Sequence, residues 1–172
     1  PHLFQRIILI NPASSFRQCP WLGWGGAVSS WLPEPFHRFS GVALLPWLAR
    51  LERIKPEDRE ALLRAVQSVP QKTSAWRLQL LNEFSVSEAE LRQISQPVLL
   101  VAGGTDQLLP SIAEINRLSQ WLPNSKTMIL PNSGHACLLE SEINLYEILK
   151  QHDFLDAAEM NYSLAGCAGR EH

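Results

Sequence analysis

The stretch from Pro97 to His135 constrains this chain most. Pro97-Val98-Leu99-Leu100-Val101-Ala102 is a continuous apolar run of β-branched and aliphatic residues, the pattern of a strand covered on both faces. It runs into Gly103-Gly104-Thr105-Asp106, where two glycines permit a sharp turn and Asp106 follows at once. From Ser111 to Leu122, Ile112, Ile115, Leu118 and Leu122 recur at helical spacing and stop before Pro123, which predicts a helix over one sheet face. Thr127-Met128-Ile129-Leu130 predicts a second buried strand, ending in the turn-forming Pro131-Asn132-Ser133-Gly134-His135. A strand–helix–strand crossover makes the two strands parallel, so both turns fall at the same sheet edge, where open α/β sheets place their sites. Asp106 and His135 are therefore expected together, as the acid and base of a catalytic triad. Taken singly, such an aspartate is a turn former and such a histidine a surface group; their paired placement carries the functional expectation.

These residues resemble a known family. Val98 to Asp106 with Pro110, and Pro131 to His135, look like the last two core strands of the α/β-hydrolase superfamily, whose acid and histidine stand at those turns. Asn11-Pro12-Ala13-Ser14-Ser15-Phe16, Gly134 to Glu140 and Asn144 to Lys150 resemble, more narrowly, the plastid phytyl-ester-synthase-like family of esterase, lipase and diacylglycerol acyltransferase proteins. The resemblance implies an α/β fold: the C-terminal part of an α/β-hydrolase, with about three parallel core strands and a helical cap insertion. It implies residues 1–16 as a core strand and loop, 17–95 as the cap or lid and 96–152 as the core carrying acid and histidine; residues 153–172, rich in Ala, Gly, Asn and Glu with weak periodicity, read as a flexible tail.

The resemblance also bears on the start of the chain. Arg6-Ile7-Ile8-Leu9-Ile10 reads as an apolar strand that needs partners on both sides and helices on both faces. In the family pattern it resembles the sixth strand, which places the nucleophile elbow just before Pro1. No G-x-S-x-G occurs within the 172 residues. Ser14 and Ser15 follow a strand but lack the flanking glycines of an elbow, and are read as loop-capping residues. The expectation is an acid and a base whose nucleophile, with the N-terminal half of the fold, lies upstream, so that this chain alone is inactive. An aspartate nucleophile, as in dehalogenase-like enzymes, stays open, as does a non-catalytic, truncated interaction module. Longer members of the resembled family carry a second acyltransferase motif, a histidine and an aspartate four residues apart; His152 is followed by Asp153 and Asp156, at the wrong spacing.

Between the strands, Trp21, Trp24, Trp31 and Phe36 lie in a tract broken by Pro20, Pro33 and Pro35 and poor in charge. Placed over the catalytic edge, these aromatics are expected to line an acyl pocket or touch lipid, or else to serve ordinary cap packing. Lys55-Pro56-Glu57-Asp58 marks a helix start, Trp76, Leu80, Leu81 and Phe84 form an apolar stripe, and Ser87-Glu88-Ala89-Glu90 is a capping box. Beyond the histidine, Leu139, Ile143, Tyr146 and Leu149 make one helical face, with Cys137 buried at its start.

Charge and cysteines narrow the partners. A net charge of −2 with mixed signs argues against nucleic acid. Cys19, Cys137 and Cys167 are odd in number and lack metal-ligand spacing, and His37 has no second ligand nearby, so reduced thiols and no metal or cofactor are expected. No apolar run approaches the ~20 residues of a membrane span. The partner expected is an acyl-lipid or ester substrate, and the location cytoplasmic or peripheral to an internal photosynthetic membrane.

Overall fold

The computed structural model describes residues 3–14, 42–43 and 45–155. Three strands, β1 (Ile7–Ile10), β2 (Val98–Gly103) and β3 (Ser125–Leu130), form a parallel sheet in the order β1-β2-β3. Ile7 pairs with Val98, and Val98 with Ser125, so the strands start level; β2 and β3 end together at Gly103 and Leu130, while β1 stops at Ile10, opposite Val101. All six residues of β2 are buried, because alternate side chains enter two separate cores. Val98, Leu100 and Ala102 join Ile115, Leu118 and Leu122 on one face. Leu99 and Val101 join Leu130, Cys137, Ile148 and Phe154 on the other. This two-sided burial is why the strand is written as an unbroken apolar run.

The outer strands differ from expectation. β3 begins two residues earlier than Thr127 and is largely exposed, with Ile129 46% accessible, rather than buried. Among the described residues it pairs only with β2, and so does β1, whose Ile8 is also exposed. An apolar strand is therefore no guarantee of cover on both faces.

Chain from 45 to 95 is helical. Helix α1 (Leu45–Leu48) and a 3-10 turn (Leu51–Arg53) lead into α2 (Pro56–Ser68), with proline in its first turn and Glu57 and Asp58 beside it. Helix α3 (Gln71–Glu83) follows, and then α4 (Glu88–Arg92), whose capping box from Ser87 to Glu90 is complete. The Trp76, Leu80 and Phe84 stripe of α3 faces outward, whereas Leu78 and Leu81 pack against Leu109, Leu108 and Ala13. Arg92 stacks over the Trp121 ring at 4.4 Å and ties α4 to the end of the crossover helix α5 (Ser111–Ser119).

The expected helix through Leu139, Ile143, Tyr146 and Leu149 is shorter than its periodicity. Cys137–Leu139 is a 3-10 turn, and α6 (Leu145–Gln151) starts only after Asn144, whose side chain caps Tyr146 and Glu147. Phe154, in the segment expected to be flexible, is buried in the second core. No described helix is long and apolar enough to cross a membrane.

Candidate active site

Both turns at the sheet's carboxyl edge are stitched to one another before any side chain is considered. Gly104 N–H donates to Leu130 O at 2.8 Å and Thr105 N–H to Ser133 O at 3.0 Å. The glycines serve this approach. Neither has positive φ; a Cβ on Gly103 would lie 2.5 Å from Gly134 O, and one on Gly104 2.5 Å from Pro131 O. Close backbone contact, and not the sharp turning expected from sequence, is what requires glycine here.

Asp106 and His135 meet across this seam. His135 Nδ1 lies 2.9 Å from Asp106 Oδ2, with the acid side chain 1% exposed and the imidazole 23% exposed. Asp106 Oδ1 also accepts from Leu108 N–H at 2.9 Å and Leu109 N–H at 3.1 Å, and Oδ2 accepts from Ser111 Oγ. Burial pushes the carboxyl pKa up, but hydrogen bonds from His135, Ser111 and Leu109 outweigh it and hold the group below its ordinary value. An ionised carboxylate can only accept, so Nδ1 donates the shared proton, and in the neutral imidazole Nε2 is the nitrogen left to act as a base. That tautomer can take a proton from an attacking hydroxyl and return it to a leaving group.

The histidine turn is held from two sides. Glu140, buried, accepts Gly134 N–H at 2.8 Å through Oε1 and Arg53 Nε at 2.7 Å through Oε2. Ala136 N–H donates to Leu48 O at 2.9 Å and Ser141 N–H to Arg53 O at 2.9 Å, so residues 48–53 brace the turn. From the sheet side comes Asn11, 5% exposed, whose Nδ2 donates to His135 O at 2.6 Å and whose Oδ1 accepts Gly103 N–H at 2.7 Å. No sequence motif marks Asn11, Ser111 or Glu140 for these roles. Asn11 had one local signal: an asparagine directly after an apolar strand suits a left-handed φ, here 46°.

Ser14 is expected from sequence to cap its loop, and residues 15–17, which such a cap would engage, lie outside the described residues. The Ser14 hydroxyl contacts Glu114, buried on α5, and accepts from Arg117 Nη2 at 2.9 Å. Cys137 is buried with its thiol pKa pushed up, first by burial and then by Glu140, which disfavours a thiolate nucleophile. Trp21, Trp24, Trp31, Phe36, Ser15 and His37 lie outside the described residues. Among the described residues no group of three His, Cys, Asp or Glu side chains is arranged to hold a metal. An open apolar groove of about 640 Å³ lies along α3, lined by Arg77, Leu80, Leu81, Glu83 and Phe84.

Comparison with known proteins gives relatives of one kind. A family model described as the alpha/beta hydrolase fold matches residues 1–142. Phytyl ester synthase 1, chloroplastic, of Arabidopsis thaliana is 27% identical over 167 residues, covering 84% of this chain and 24% of that protein. Pimeloyl-[acyl-carrier protein] methyl ester esterase of Nitrosomonas europaea is 37% identical over 81 residues, covering 47% of this chain and 31% of that protein. The chain thus spans less than a third of the length of either relative. No solved structure matches it.

Proposed function

The chain belongs to the α/β-hydrolase fold family, and from that premise we propose that it contributes the acid and general base of an acyl-transfer enzyme whose serine nucleophile comes from sequence outside these 172 residues. The observation that carries this proposal is the 2.9 Å contact between a buried, ionised Asp106 and the Nδ1 of a partly exposed His135. His135 Nε2 takes the nucleophile's proton as it attacks the ester carbonyl, and returns it to the departing alcohol. Asp106 holds the ring and stabilises the imidazolium between those steps. The acyl-enzyme is then resolved by water, as in an esterase or lipase, or by a long-chain alcohol such as phytol or by diacylglycerol, as in an acyltransferase.

The name of the Arabidopsis relative supports the alcohol as acceptor. The α3 groove supports an apolar acyl or prenyl chain: its wall residue Leu81 packs on Leu109, whose N–H binds Asp106. With the exposed Trp76, Leu80 and Phe84, it also favours a lid over the site and work at the surface of an internal membrane. The test is to assay the complete gene product for acyl transfer to phytol and to diacylglycerol against hydrolysis. Transfer in the native protein, lost in His135→Ala with the fold retained, is expected; equal turnover in both refutes the proposal.

A second reading, a non-catalytic interaction module, is favoured by the exposure of Leu3 and Phe4 (88% and 65%) beside an edge of β1 that is unpaired among the described residues. It predicts that the complete product has no His135-dependent turnover and that these side chains bury against a partner chain.

A further inference from the structure

Beyond Ile10 the backbone of β1 turns away at Asn11 (φ 46°), yet the gap between β2 and the histidine turn is still bridged. The Asn11 side chain fills it as a peptide unit would. Its carbonyl end receives Gly103 N–H at 2.7 Å, and its amide end gives protons to His135 O at 2.6 Å and Gly134 O at 3.3 Å. The Asn11 main-chain N–H holds Val101 O at 2.9 Å. One buried side chain thus grips the strand end three residues before Asp106 and the backbone of His135 itself. The amide end also lies 3.7 Å from Cys137 Sγ, a weak partner. The Gly103 N–H at the carbonyl end and the two backbone carbonyls at the amide end fix the orientation, since a flipped amide would set donor against donor and acceptor against acceptor.

We propose that Asn11 is the positioning residue of the acid–base pair, setting the distance between Asp106 and the His135 ring by bridging Gly103 N–H to the His135 carbonyl. The proposal rests on the pair's assigned role, but its geometry can be tested without catalysis. Glycine at position 11 accepts the left-handed backbone and deletes only the bridge.

In the chain as it stands, nitrogen-resolved imidazole spectra should show a protonated His135 Nδ1 with a hydrogen-bonded ring proton. Asn11→Gly is expected to speed exchange of that proton at least about tenfold. Ser14→Ala, in the same loop, is expected to lower the melting temperature and leave the proton unchanged. In the complete enzyme, Asn11→Gly should lower kcat on the order of 10²-fold, the scale of a misplacement near 1 Å, with KM within about twofold. An exchange rate within about twofold of native in Asn11→Gly overturns the proposal, as does equal loss in Ser14→Ala. Should Asn11→Gly not fold, the native chain decides: slow exchange of the Asn11 side-chain amide with a scalar coupling to the His135 carbonyl supports the bridge, and rapid exchange overturns it. Because none of these spectra needs a nucleophile or substrate, failure of the acyl-transfer assay and failure of the bridge are separate results.

Discussion

Gly103→Ala isolates the seam between the two turns. Gly103 does not have positive φ, so the ordinary effect of alanine there is a gain of about 0.4–1 kcal/mol from a less flexible unfolded chain. The structure predicts the opposite sign. The new Cβ meets Gly134 O at 2.5 Å and Ser133 O at 2.6 Å, against 3.4 Å or more for ordinary contact. Both obstacles are backbone, so no rotamer relieves them, and the histidine turn must retreat by about 0.9 Å for normal van der Waals separation. Passed on fully to the ring, that retreat stretches the 2.9 Å contact with Asp106 to nearly 3.8 Å, outside hydrogen-bond range. Overpacking of this kind costs about 1–3 kcal/mol. Urea unfolding followed by circular dichroism measures the loss, and imidazole spectra measure the ring contact. A stability gain, or an unchanged ring proton, would refute the claim that close approach is what demands glycine.

Other perturbations follow from the same contacts. Asp106→Asn in the complete enzyme should lower kcat on the order of 10⁴-fold by holding the wrong histidine tautomer, which steady-state kinetics would read directly. Since the folded Asp106 pKa lies below its ordinary 3.8, the stability it contributes is full above that value and fades as pH falls through the depressed one. The stability gap between native protein and Asp106→Asn should therefore be at its full width at pH 7 and shrink progressively once pH falls below 3.8 in urea titrations. Glu140→Ala strands the buried Gly134 N–H, at about 1–3 kcal/mol in chemical unfolding; Glu140→Gln, which keeps an acceptor there, should cost less. Leu99→Ala, at the fully buried centre of β2, should cost about 2–5 kcal/mol in the same assay.

What sequence conveyed about this fold depended on how local the cause was. Strand β2, the capping box of α4 and the proline-led start of α2 are written in adjacent residues, and they stand where the pattern placed them. The three-stranded parallel sheet and the meeting of Asp106 with His135 were legible because one crossover helix leaves few ways to connect two parallel strands. Periodicity misled where distant contacts decide. Leu139 to Leu149 has helical spacing, but Glu140 turns inward to Gly134 and Arg53, and the helix waits for Asn144. The exposure of β3 was illegible for a similar reason, since composition reports preference for burial and not whether cover is present. Asn11 was hidden because its partners, Gly103 and His135, are more than ninety positions away.

The proposed role of His135, general base for a serine elsewhere in the protein, can be tested chemically. The most direct measurement is labelling of the complete gene product with a serine-reactive fluorophosphonate, mapping the modified residue and comparing native protein with His135→Ala. One labelled serine outside these 172 residues, with labelling abolished by His135→Ala, is the predicted result. Labelling of Ser14, or labelling indifferent to His135, would contradict a general-base role for His135.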